Sequence, residues 1–433
     1  MTRQFTRSNE LYERAGRTIP LASQTFSKSA MMYVRGAAPL FLERGDGAHV
    51  WDVDGNVYVD FVLGLLPVVL GYRDPDVDDA IRAQLDRGIT FSLATELEVE
   101  LSERLVRLIP CAEMVRFGKN GSDATSAAIR LARAHTGRDR VALCGYHGWH
   151  DWYIGTTARS LGVPEAVREL SDTFAYNDAD SLAALLRNRP GEYAAVIMEP
   201  TLAVEPAPGF LQAVRDICDR EGIVLVYDEI ITGFRVGMGG AQARYGVTPD
   251  LSSFGKSMAN GMPISAIVGR RDIMRRMEDV FVSGTFGGEC LSLAAAIATI
   301  DKMERTDAIA RTRAAGRGYA EGIGEIFDRH ELGERYRVSG PDWRPLLLPS
   351  SNDDRILAVS LLRQELNEAG ILSVDAINLC LAHADVSVMA EALAAFDQAA
   401  GRLAAAWRSN DPSSHLRGEP VQPVFQVRAN PKT

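Results

Sequence analysis

Lysine is nearly missing from this chain. Of its 433 residues 47 are basic, and only Lys28, Lys119, Lys256, Lys302 and Lys432 are lysine, leaving 42 arginines. A genomic base-composition bias accounts for the skew, yet a lysine inside an apolar stretch then needs a reason that arginine does not satisfy. Only Lys256 lies in such a stretch beside glycines. Cysteine is scarce as well: Cys111, Cys144, Cys218, Cys290 and Cys380 are far apart with no Cys-x-x-Cys pair. Neither a zinc site nor a disulfide framework is indicated, no metal is expected, and the thiols are expected to be reduced and mostly buried. The longest near-apolar run, 61–72, is interrupted by Gly64, Pro67 and Gly71 and falls short of the ~18 residues of a membrane span. Residues 1–10 lack the apolar core of a signal peptide, so a soluble, cytoplasmic protein with no membrane partner is expected. Blocks of positive charge are missing too. Acidic residues outnumber basic ones 57 to 47, giving −10, which argues against a nucleic-acid partner.

What remains is an ordinary globular composition, 46% hydrophobic and 24% charged, without internal repeats. Residues 1–68 read as an N-terminal arm, with 48–51 and 57–61 forming a hairpin around Asp54-Gly55. From 69 to 300 short apolar runs alternate with amphipathic helices. The runs at 114–117, 141–144, 194–198 and 223–227, the helices at 124–135 and 210–221, and the wholly apolar strands predict an α/β domain. Its mostly parallel central sheet is covered by helices on both faces. Residues 301–407 predict a smaller α+β C-terminal domain whose last helix presents Met389, Leu393, Phe396 and Leu403 on one face. The proline-bearing stretch 408–433 predicts an extended or poorly ordered tail.

Ligands of parallel α/β sheets bind at the carboxyl ends of the strands. After 114–117 comes Gly118-Lys119-Asn120-Gly121-Ser122-Asp123, a loop opening a helix. It can serve as an anion site, or simply as a helix start capped by Ser122 or Asp123. After 223–227 comes Asp228-Glu229; two carboxylates at a buried strand end need a cationic or proton-bearing partner, and otherwise read as a helix cap or a salt bridge with an arginine such as Arg235. Lys256 follows 251–255 on what should be the neighbouring strand end, and a partly desolvated amine there can form a Schiff base, which a guanidinium cannot. An anion cradle, a buried carboxylate and a lysine together match the needs of pyridoxal phosphate.

The chain at this point resembles a known family. The motifs "KNGSDATSAAIRLAR" from Lys119, "YHGWHD" from Tyr146, "VIMEP" from Val196, "DEIITGFR" from Asp228, "FGKSMANGMP" from Phe254 and "GTFGGE" from Gly284 are similar to those of class III, fold-type I pyridoxal-phosphate aminotransferases, in the branch with glutamate-1-semialdehyde aminomutase. The resemblance runs from about residue 12 to 403. It implies that Gly121 and Ser122 bind the cofactor phosphate and that Tyr146 and Ile230 face the two sides of its ring. Asp228 pairs with the pyridine nitrogen, Glu199 lies near the ring hydroxyl, and Lys256 is the Schiff-base lysine. It also implies a homodimer in which Thr285 reaches the phosphate of the neighbouring subunit. His147 and His150 read equally well as loop histidines. The implied reaction is a ping-pong transfer from an amino-acid donor, glutamate, to a carbonyl acceptor, with Lys256 moving the proton. An aminomutase or an epimerase acting on an amino sugar would use the same residues.

Departures from the family pattern bear on substrate. Where the aminomutase has an arginine in the arm and a tryptophan after the hairpin, this chain has Lys28 and Leu65; Asn120 replaces a serine, and Glu289-Cys290 an asparagine-proline. Lys28, Leu65, Trp149 and Glu289 are therefore candidate substrate contacts. Losing a bidentate arginine is not conservative. With Asp123, Asp151 and Glu289 expected at the mouth, the pocket reads as acidic and polar, suiting a polyhydroxylated, cationic carbonyl compound such as an oxidised amino sugar or aminocyclitol of the kind used in aminoglycoside antibiotic biosynthesis.

Overall fold

A computed structural model describes residues 3–422. The chain divides into two compact units, one made of residues up to Asp74 together with those from Ala310 onward, the other of Pro75–Ile309.

In the first unit, strands β1 (Leu42–Asp46), β2 (His49–Asp52) and β3 (Val57–Asp60) form an antiparallel meander. The expected hairpin is β2–β3, with Val50 opposite Tyr58 and Gly55 at φ 87° in its turn. In the second unit, β4 (Met114–Gly118), β5 (Arg140–Cys144), β6 (Ser171–Thr173), β7 (Tyr193–Met198), β8 (Val224–Asp228), β9 (Leu251–Phe254) and β10 (Ser265–Gly269) form one sheet. The strand order is β4-β10-β9-β8-β7-β5-β6. Strand β10 runs antiparallel to both neighbours, and the remaining strands are parallel to one another. Every residue of β5, β7, β8, β9 and β10 is buried, which is why β7 and most of β5, β8 and β10 are apolar without alternation; β9 instead buries Ser252 and Ser253 between Leu251 and Phe254. Helix Gly121–Thr136 covers one face with Ala128, Ile129, Leu131 and Ala132, and helix Phe210–Glu221 packs Val214 and Cys218 on the side of Val196 and Leu225. Two helices, Cys290–Thr306 and Ala308–Arg329, follow, separated by Asp307 at φ 49°.

The first unit is completed by the hairpin β11 (Tyr336–Ser339) and β12 (Leu346–Pro349), by β13 (Ile371–Leu372) parallel to β3, and by helix Val386–Arg408. That last helix buries Phe396 and Leu403, with Met389 and Leu393 packed partly buried against the same core. Its start is fixed by Asp385, whose carboxylate accepts the amide of Ser387 at 2.8 Å.

One expectation is narrowed and another is corrected. The stretch after residue 408 is ordered through residue 422: Pro412–His415 forms a 3-10 turn, Glu419 bridges to Arg35, Val421 packs with Val34, Ala37 and Val359, and Gln422 N bonds to Met31 O at 2.8 Å. Proline removed periodicity but not apolar contacts. Residues 423–433 of the expected tail lie outside the described residues. The helix expected at 124–135 begins at Gly121, and its cap is neither Ser122 nor Asp123 but Asn120, which forms a capping box with Asp123. No helix among the described residues is long and apolar enough to cross a membrane.

Candidate active site

The ends of β4, β5, β7, β8 and β9 bring the expected residues together within the second unit. After β4, the first-turn amides of Gly121 and Ser122 have no acceptor within their own helix, and the positive end of a 16-residue helix dipole points the same way. The carboxylate of Asp123 faces backward, accepting the amides of Lys119 at 3.0 Å and Asn120 at 2.8 Å, so it shapes the loop and leaves the cradle to the other groups. After β5, Gly148 has φ 102°, and a Cβ there would stand 2.2 Å from Ser122 Oγ. Only glycine lets the 145–150 loop lie this close to the cradle. Trp149 N donates to Ser122 Oγ at 3.3 Å, and Thr125 Oγ1 donates to His147 O at 3.0 Å.

Asp228 ends β8, is 3% exposed, and accepts the amide of Ile230 on Oδ1 at 3.1 Å. Its Oδ2 meets His147 Nδ1 at 2.8 Å. His147 is fully buried, stacks on Trp152, and has no partner for Nε2 among the described residues. Sequence reading weighed His147 as an ordinary loop histidine. The missed signal was its place: it follows β5, and the β5-β7-β8 order brings that end within reach of Asp228.

Lys256 follows β9, the strand beside β8, with Asp228 paired to Ser253 in register. Its backbone is left-handed at φ 39°, a conformation costing a non-glycine residue about 1–3 kcal/mol and concentrated at functional sites. Ile230 joins the two loops: its side chain lies 3.1 Å from where a Gly121 Cβ would be and 3.2 Å from where a Gly255 Cβ would be. Tyr146 is half-exposed, and burial, then Asp228 and Glu199, raises its hydroxyl pKa, so it stays neutral. Cys144, at the end of β5, is pushed up to about 12 by burial and Glu199, and all five cysteines are buried and free.

Glu199 follows β7, is 7% exposed, and accepts Tyr146 N at 2.8 Å. Burial first and Asp228 second raise its carboxyl pKa above the ordinary 4.5, while the Tyr146 amide, His147 and Lys256 pull it down. A carboxyl raised in this way keeps its proton in the folded chain where the unfolded chain has lost it. Its stabilising contribution is thus full below the ordinary value and is lost as pH climbs through the raised one. Glu199→Gln keeps an oxygen for Tyr146 and removes the titration. The cofactor-free variant is expected to match wild type in acid and to melt progressively higher than it toward alkaline pH, as read by calorimetry at a series of pH values; a constant offset would refute this.

Of the two bland alternatives for the Asp228-Glu229 pair, Glu229 takes the helix cap. Its carboxylate accepts the amides of Ala241 at 2.8 Å and Gln242 at 3.0 Å and the hydroxyl of Thr232, capping helix Gly240–Tyr245, whereas Arg235 donates to Ser257 Oγ. The acidic mouth is also corrected. Glu289 accepts Lys119 Nζ at 2.8 Å and caps helix Cys290–Thr306 through Leu291 N at 2.7 Å, and Lys119 lowers its carboxyl pKa after the burial that opposes it. With Asp123 committed to its loop, Asp151 is the exposed carboxylate that remains of the three. Thr285 is exposed in the wall of a cavity of about 680 Å³ that also holds Lys119, Arg130 and His150. Trp149 is 67% exposed. Lys28 and Leu65 lie in the first unit; Lys28 ends a 3-10 turn capped by Thr25, and Leu65 sits at φ 78° within a left-handed run from Leu63 to Leu66.

The donor set fits pyridoxal phosphate: unpaired first-turn amides and a hydroxyl for the phosphate, a buried carboxylate held by two donors for the ring nitrogen, and a primary amine one strand away for the aldehyde. Fold and site thus define a fold-type I pyridoxal-phosphate enzyme. The aminotransferase class-III family model matches residues 32–341. The chain is 39% identical to a 3-aminobutyryl-CoA aminotransferase of Cloacimonas acidaminovorans over 79% of its own length and 84% of the relative's. It is 40% identical to a glutamate-1-semialdehyde 2,1-aminomutase of Syntrophobacter fumaroxidans over 70% and 73%. In three dimensions it is similar to the pyridoxal-phosphate form of the FumI protein of Sphingopyxis sp. MTA144, with TM-score 0.88 and 32% identity over 95% of this chain and 100% of the other. The chain belongs to the class III aminotransferases.

Proposed function

We propose that this enzyme is a ping-pong aminotransferase whose donor is glutamate and whose acceptor carbonyl sits on a carbon remote from any carboxylate, with an oxidised amino sugar or aminocyclitol as the acceptor class. The observation that carries the reaction is the buried Asp228–His147 pair one strand from Lys256. Bound pyridoxal phosphate supplies an electron sink for the carbon bearing the substrate amine. The chain's own groups do the rest. Gly121 and Ser122 anchor the phosphate, Asp228 holds the ring-nitrogen proton while His147 fixes its carboxylate, and Ile230 and Tyr146 confine the ring. Lys256 Nζ would take a proton from the substrate carbon as base and, as acid, return it to the carbon on the far side of the amine nitrogen.

The acceptor class is supported by Lys28 in place of the arginine that grips a carboxylate. It is also supported by the relatives' names, 3-aminobutyryl-CoA and glutamate 1-semialdehyde, whose transferred amines are not α to a carboxylate. The neutralised mouth removes the reason to require a cationic acceptor. An aminomutase is the second reading, favoured by the 40% relative.

The test is a panel of half-reactions. The holoenzyme is mixed with amino sugars, aminocyclitols, β-amines and glutamate 1-semialdehyde, and the change in cofactor absorbance is followed. Turnover of an aminocyclitol that requires stoichiometric glutamate supports the proposal. Efficient donor-free conversion of glutamate 1-semialdehyde with no response to sugars would sink it.

A further inference from the structure

The scarcity of lysine singles out Lys119, which the reaction above does not use. Its Nζ donates to Glu289 Oε2 at 2.8 Å and to Ser292 Oγ at 3.1 Å, and Ser292 Oγ in turn donates to the same Oε2 at 2.6 Å. Side-chain exposure is 19% for Lys119 and 12% for Glu289, so this is a screened, largely desolvated pair and not a surface ion pair. The compact ammonium fits between a carboxylate and a hydroxyl on successive turns of one helix, a three-point arrangement that a planar guanidinium does not reproduce.

Both partners also hold backbone. Lys119 N is fixed by Asp123 Oδ2 inside the first turn of helix Gly121–Thr136. Glu289 accepts Leu291 N at 2.7 Å and Ser292 N at 3.2 Å at the start of helix Cys290–Thr306. An unbroken series of hydrogen bonds therefore runs from one helix N-terminus, through Asp123, the Lys119 backbone, its ammonium and Glu289, to the other. The first N-terminus carries the Gly121–Ser122 cradle, and the turn leading into the second carries Thr285.

We propose that the Lys119–Glu289 pair is a clamp that fixes the cofactor-phosphate cradle against the 284–289 turn, making Lys119, Glu289 and Ser292 positioning residues for cofactor retention. This rests on the reading of Gly121 and Ser122 as the phosphate cradle. Immobilising the loop beforehand lowers the ordering cost that phosphate binding would otherwise meet. A released loop binds the phosphate more weakly even though every group that touches it is intact.

The experiment measures pyridoxal-phosphate affinity of the full-length protein by equilibrium titration of the cofactor-free form, for wild type, Lys119→Met, Glu289→Gln, the double variant, Lys119→Arg and Ser292→Ala. The two single substitutions are expected to weaken cofactor binding about tenfold or more, and the double variant no further than either. Lys119→Arg should recover part of the loss, and Ser292→Ala should weaken binding a few-fold while folding normally. The turnover number of fully loaded Lys119→Met and Ser292→Ala should stay within a few-fold of wild type. Unchanged cofactor affinity in the single variants, or losses that add, would overturn the clamp, as would a fall in thermal stability without a change in affinity. If wild type itself bound no cofactor, the reading of the cradle would have failed instead, so the two failures are distinguishable.

Discussion

Lys256→Ala is expected to abolish the visible absorbance of covalently held cofactor and to lower kcat/KM by at least about 10⁴-fold. On the roles proposed above, the substitution removes both the covalent anchor and the group that carries the proton, and a positioned acid–base group alone contributes roughly 10²–10⁴-fold. The side chain is half-buried after β9, beside the end of β8 that carries Asp228, while Lys119, the lysine after β4, is held by Glu289 and Ser292. The fold should survive, since alanine meets the same left-handed backbone cost as lysine. Two measurements check this: the absorbance spectrum of the purified protein incubated with cofactor, and single-turnover kinetics with glutamate. Activity within a hundredfold of wild type would remove Lys256 from the mechanism.

Asp228→Asn should retain cofactor binding and lose roughly 10²–10³-fold in the rate of the first half-reaction, the scale for removing one preorganised electrostatic group. An asparagine oxygen still accepts the Ile230 amide that Oδ1 holds at 3.1 Å, so the backbone of the 228–231 turn has no cause to move. The amide, however, carries no charge for the ring-nitrogen proton and turns a donor toward His147 Nδ1. His147 then has to shift its proton to Nε2, an atom with no partner among the described residues, so the variant carries a second penalty. Stopped-flow absorbance on mixing with glutamate reads the rate directly. A loss smaller than tenfold would mean that Asp228 holds structure only.

Much of this site was readable before any coordinates because its groups occur just after apolar runs, where a parallel sheet places ligands. Asp228 ends the apolar β8, Gly121-Ser122 and Lys256 come shortly after β4 and β9, and the strand order brings these strand ends to one side of the sheet. What escaped depends on which strand lies beside which. His147 is 81 positions from Asp228, and Lys119 is 170 from Glu289, so no local pattern announces either pair. For Glu229 the sequence left a helix cap and an arginine partner equally open, because the amides that it caps start a helix twelve residues on. For the tail it left extension and disorder open for a related reason: prolines hide periodicity, but Val421 needs only one apolar hollow to be held.

The position of β4 also governs when this enzyme can become competent. As an edge strand it pairs with β10 alone, Gly118 opposite Ser265, and β10 is the last strand of the sheet to leave the ribosome. Helix Gly121–Thr136 packs on β5, β7 and β8 and so has most of its seat before β10 is made, but the strand leading into it is pinned only when Gly118 meets Ser265. A pairing so distant in sequence is slow to form. If Gly121 and Ser122 hold the cofactor phosphate as proposed, the loop between that strand and that helix is the last part of the site to be fixed, and cofactor capture is expected among the closing events of folding.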